Sequence, residues 1–111
     1  MLLNQGRNSI RELIRSSIDT VRIGTGTTPE TGADTALETQ IASKTASTWN
    51  GATGETRARG RLSTAEQNGE SLAEGGATLD GVLCSRKTHS TLEKTALIEV
   101  EYEIVYRVVT V

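Results

Sequence analysis

The chain has 111 residues, one cysteine, no phenylalanine, 3% aromatic residues and a formal net charge of −2. That length supports one domain with a core of limited size. The lone Cys84 excludes an internal disulfide framework, and a pI near 5.4 leaves no global basic field for a nucleic-acid backbone. Hydrophobic residues are 35% of the chain, and its 11 glycines bring it to the globular norm of about 45–50%, which counts glycine. A folded but thin core of Val, Ile, Leu, Ala and Thr is expected, one that gains from burial between subunits. No stretch approaches the ~20 apolar residues of a membrane span. The start, MLLNQGRNSI, lacks the apolar centre of a signal peptide, so synthesis in a reducing cytoplasm is expected.

Ile10, Leu13, Ile14, Ser17, Ile18 and Val21 recur at helical spacing, with Arg11, Glu12 and Arg15 off that face. Ser9 and Glu12 have the spacing of a capping box. The reading is an amphipathic helix over 8–20 whose stripe of Ile10, Leu13, Ile14 and Ile18 docks on the sheet that follows. Residues 21–40 read as a loop with a short helix. In Gly24-Thr-Gly26-Thr-Thr-Pro29 the glycines permit positive φ, the proline fixes φ and the threonines bond back to the chain. Asp34 to Glu38 carries the short-helix signal. The glycines fit neither a P-loop, which needs Gly-Lys-Ser/Thr, nor the dinucleotide fingerprint, whose third glycine is replaced by Pro29.

From 41 to 111 the pattern is antiparallel β. Asn50-Gly51, Asn68-Gly69 and Asp80-Gly81 are dipeptides of tight hairpins. They separate runs at Ile41–Trp49, Thr53–Thr64, Ser71–Leu79 and Val82–Lys87, although Gly69 to Gly81 is Gly/Ala-rich enough to be a loop. A polar link, Thr88–Glu93, leads to a terminal run, Lys94–Val111, rich in β-branched and aromatic residues. Eighteen residues exceed an ordinary strand, so a bend, bulge or projection is expected there. The fold class is mainly β with an N-terminal helix (α+β), an antiparallel meander forming a β-sandwich or a partly closed barrel, all in one domain.

Glu99, Glu101 and Glu103 share one face of the terminal strand, and Arg57, Arg59 and Arg61 share one face of another. Opposite charges paired across strands stabilise by roughly 0.2–1 kcal/mol each. Two arrangements stay open: rows that face each other, within a subunit or between subunits, and two solvated faces that never meet. A nucleic-acid role for the arginines lacks interleaved aromatics, and the glutamates diverge too much for a closed cation cage. Trp49, before a turn, reads as an interface anchor or as plain hairpin packing. Cys84 and His89, five apart, would face opposite ways on a strand, which argues against a thiol–base pair. They are too few for a structural zinc site. They read as a semi-buried thiol and a solvated loop histidine. No catalytic, cofactor or metal residue is assigned; the interface candidates are Arg57, Arg59, Arg61, Glu99, Glu101, Glu103 and Trp49.

The segment Gly24 to Leu37, GTGTTPETGADTAL, follows the Ser9–Ile18 helix and precedes a β-rich half that closes on Lys94 and a long terminal strand. This arrangement resembles a family of small tailed-phage virion proteins with a GTGTTxP…DTAL motif, found as tail-fibre or collar modules. The resemblance implies a non-enzymatic oligomeric virion subunit at the tail, collar or fibre attachment, assembled in the host cytoplasm. Its implied partners are copies of itself and other virion proteins, with no membrane, nucleic acid, small-molecule substrate or cofactor. The chain departs from that pattern between Glu70 and Leu79, where the relatives carry a more apolar strand. A capsid decoration or turret protein is the alternative within the class, and a receptor- or carbohydrate-binding module is the alternative outside it.

Overall fold

A computed structural model describes residues 1–109; Thr110 and Val111, the end of the expected terminal run, lie outside the described residues. The order is α1 (Asn4–Ser17), β1 (Ile18–Gly24), β2 (Gln40–Thr45), β3 (Ser47–Asn50), β4 (Glu55–Leu62), β5 (Ser71–Leu79), β6 (Val82–Glu93) and β7 (Val100–Arg107). The strands form two antiparallel sheets, β2-β1-β5-β6 and β3-β4-β7. The described residues are thus α+β and sandwich-like, without a closed barrel among them. The strand order departs from a simple meander, since β1 pairs with β5 and β4 with β7 across long stretches of chain.

Period-two alternation builds the interior. Val21 and Ile23 of β1 and Ala58 and Leu62 of β4 are fully buried, whereas Arg57, Arg59 and Arg61 point the other way. Ile23, Leu62, Leu72 and Val100 form the apolar centre, flanked by Ile41, Ala42, Ile98 and Tyr102. The Gly/Ala-rich stretch is the central strand β5, buried at every residue from Leu72 to Thr78. Its small residues are required by close approach. A Cβ at Gly75 would collide with the Tyr102 ring, and one at Gly60 would lie 2.6 Å from the Cβ of Val21.

Several expected boundaries move. The helix spans Asn4–Ser17 rather than 8–20, and its N-cap is Leu3, which makes no side-chain cap. Ser9 sits mid-helix, so no capping box forms; Glu12 instead bonds Arg11, Arg15 and Asn50. Ile18 and Val21 belong to β1, which takes the start of the expected 21–40 loop. Asp34–Glu38 forms no helix. The polar link Thr88–Glu93 is the second half of β6, because Leu92 and Glu93 find partners in Leu72 and Ser71. The terminal strand shortens to eight residues, and Lys94 begins the link before it. Of the three dipeptides, Asp80-Gly81 is a two-residue hairpin with φ of 49° and 79°. At the other two sites the chain forms longer loops, with positive φ at Gly54, Gln67 and Gly69.

The largest correction concerns the helix face. No residue of α1 is buried. Leu13 is 69% and Ile10 38% exposed, so their stripe does not dock on the sheet. The polar side of the helix makes the contact. Arg7 donates to the carbonyls of Val108 (3.0 Å) and Thr53 (3.3 Å), and Asn8 Oδ1 accepts from the Gly54 N–H at 2.9 Å.

Candidate functional site

The two charged rows meet within one subunit. Antiparallel pairing sets Arg59 opposite Glu103 and Arg61 opposite Glu101 on the outer face of the three-stranded sheet. Arg61 pairs directly with Glu101, while diagonal pairs join Arg59 to Glu101 (3.4 Å) and Arg57 to Glu103 (2.6 Å). Hydrogen bonds from Arg61 hold the Glu101 carboxyl below the ordinary glutamate value. Trp49 lies opposite Arg57 on β3, and the Arg59 guanidinium stacks 4.7 Å from its ring centroid. Glu99 precedes β7 and forms no ion pair among the described residues, though its charge acts on Arg61. Six of the seven expected residues therefore share one surface.

Glu55 extends this network at its far end. Only 3% exposed, it takes Arg57 and Arg107, each at 2.8 Å. Its place opposite Arg107 in the register continues the alternation that identified the other residues.

A second, more deeply built centre lies on the outer face of the four-stranded sheet. Glu74 on β5 is fully buried and accepts four hydrogen bonds. The donors are the backbone N–H groups of Gly26 (2.7 Å), Glu38 (2.9 Å) and Thr39 (2.8 Å), and Arg86 Nε at 3.0 Å. Burial alone would raise this carboxyl, but the N–H groups of Thr39 and Glu38, the Arg86 guanidinium and the Gly26 N–H outweigh it. The result is a value below 4.5. Arg86 also donates to Asp34 (2.9 Å) and to the Thr28 carbonyl (2.7 Å). Glu30 accepts from Thr88 and pairs with Lys87 at 3.0 Å. Its own backbone N–H, Thr88 and Lys87 bring it down to about 2.

Residues 25–39 are thereby strapped across the sheet, and the reason for the glycines changes. Neither Gly24 nor Gly26 has positive φ. A Cβ on Gly24 would lie 2.6 Å from Glu74 Oε2, and one on Gly26 would strike the same oxygen. Glycine is needed for close approach to the carboxylate. Glu74 and Arg86 escaped the sequence reading; the available signal was a lone acid between Ala73 and Gly75 in an otherwise uncharged run.

Cys84 and His89 lie on β6 and on opposite faces. Cys84 is exposed rather than semi-buried and lines a shallow cavity with Glu30, Asp34 and Arg86. His89 is in the strand rather than a loop, and its Nε2 lies 2.5 Å from the Tyr102 hydroxyl. Burial, with the Glu74 charge second, pushes Tyr102 up to about 12. Lys94 is 1% exposed and donates to Asn68 Oδ1 (2.8 Å) and the Thr95 carbonyl (3.0 Å), fastening the loop before β5. No three His, Cys, Asp or Glu residues converge to hold a metal ion among the described residues.

No helix among the described residues is long and apolar enough to cross a membrane. The chain matches no protein-family model and no curated protein.

Proposed function

We propose that the chain is a non-enzymatic, oligomeric structural subunit of a virion, placed at the tail, collar or fibre attachment of a tailed phage. The observation that carries this reading is the inverted helix. A domain with a small apolar centre turns Ile10 and Leu13 of its only helix among the described residues, with the N-cap Leu3, to solvent, a face suited to assembly. Resemblance of the GTGTTxP…DTAL segment to tailed-phage proteins supplies the virion context. The strap gives that segment a structural role: its backbone shapes one face of the sheet through Glu74.

Two alternatives are separable. In the carbohydrate-binding reading a sugar stacks on an aromatic, yet Arg59 occupies one face of Trp49, and Tyr102 and Tyr106 are half-buried and bonded to His89 and Ser85. A capsid decoration protein shares the assembly logic and differs in copy number. Quantitative mass spectrometry of purified particles tests the proposal. A few to tens of copies per particle is the expected result. Hundreds would favour decoration, and absence from particles would defeat the virion reading.

A further inference from the structure

Leu3, Gly6, Ile10, Leu13 and Ser17 recur at alternating steps of three and four residues, the a/d spacing of a coiled-coil seam. Leu3, Ile10 and Leu13 are 56%, 38% and 69% exposed. The opposite side of α1 is already used by its own domain, through Asn8 and Glu12. We infer that this seam packs against the α1 helices of at least two further copies of the same chain, forming a parallel bundle. The inference names the partner of the assembly face described above and rests on that oligomeric reading.

Charge and area select this occupant. No charged residue lies on the seam. Arg7, the only charge at a position flanking it, is turned onto the Val108 and Thr53 carbonyls. Arg11, Glu12 and Arg15 neutralise one another in part on the far side. Identical seams thus meet without like-charge repulsion, whereas an acidic or basic partner finds nothing to pair with.

A helix of 14 residues is about 21 Å long. One helix pair of that length buries far less than the ~1,200 Å² of a stable interface. A bundle of three or more gives each helix two neighbours, and Leu2 and Ile14, half-buried beside the seam, widen its apolar face. Of the closed symmetries open to three or more copies, we assign the cyclic one, which gives every helix the same two neighbours and makes the helices parallel, where a dihedral tetramer would make them antiparallel.

The test is sedimentation equilibrium of the full chain at tens of micromolar, beside Leu13→Glu and a control, Arg15→Glu, on the far side. Wild type and control should be trimers or larger, and Leu13→Glu should be monomeric with an unchanged circular dichroism spectrum. Because Leu13 is exposed, the fold does not depend on it. A second variant, Leu13→Cys in a Cys84→Ser background, should form disulfide-linked pairs on mild oxidation, as parallel in-register helices require. A monomeric or dimeric wild type overturns the bundle. So does an oligomer that survives Leu13→Glu while the Leu13→Cys variant fails to cross-link. These outcomes are independent of the particle count: a bundle-forming chain absent from virions would defeat only the virion assignment.

Discussion

The two faces of the sandwich use the same side chains in opposite circumstances. On the four-stranded sheet, Glu74 and Arg86 are 0% and 6% exposed in their side chains, and the carboxylate is surrounded by backbone donors. On the three-stranded sheet, the side chains of Arg57, Arg59, Arg61, Glu101 and Glu103 are 36–52% exposed and pair mainly with one another, Arg57 alone reaching a buried carboxylate, Glu55. A charge removed from water requires every partner to be present, because the orphaned member stays buried. Exposed pairs lose little when broken, since water replaces the partner. The strap should therefore behave as an all-or-none element and the ladder as a graded one.

The largest expected effect tests the strap. Glu74→Gln leaves Arg86 without its buried counter-charge and replaces one acceptor oxygen with a donor facing backbone N–H groups. A loss of about 3–5 kcal/mol is expected, the range for breaking a buried pair, read from urea unfolding, with faster hydrogen exchange at Gly26 and Thr39. Glu101→Gln should change stability far less. If the two variants were equal, burial would not be what separates the faces.

Acid provides the next comparison. Glu74 has a folded value below 4.5, so its contribution is fully present above the unfolded value and is lost as pH falls through the folded one. Glu30, at about 2 against 4.5 unfolded, places the lower edge of the window. Stability should fall between pH 4.5 and about 2. The amide resonances of Gly26, Glu38 and Thr39 should titrate together with a midpoint below 4.5, unaffected by added salt. Midpoints above 4.5, or three unrelated ones, would contradict a shared carboxylate.

The smallest effect belongs to the ladder. Reversing Arg59 and Arg61 to Glu, with Arg57 kept for the buried Glu55, should weaken folding through like charges juxtaposed at Glu101, and reversing Glu101 to Arg as well should restore much of the loss. The recovered portion should shrink as ionic strength rises. A rescue insensitive to salt would mean that the ladder is as desolvated as the strap.

Local pattern alone was enough for several elements. Alternation along Arg57–Leu62 and Val100–Tyr106 implied two half-buried strands with charged outer rows, and Asp80-Gly81 implied its hairpin. Tertiary structure decided the rest. The acceptor at the end of the Glu74 side chain and its donors at Gly26 and Thr39 are 48 and 35 residues apart in sequence, a separation that no period or propensity reports. Thr88–Glu93 reads as a polar link and becomes strand because β5 offers it backbone partners. The apolar stripe of α1 was legible as a stripe, but spacing reveals only that a face exists. Which surface covers it depends on where the rest of the chain places its hydrogen-bonding groups. Here Gly54, Thr53 and Val108 receive the polar side, leaving Leu3, Ile10 and Leu13 turned outward.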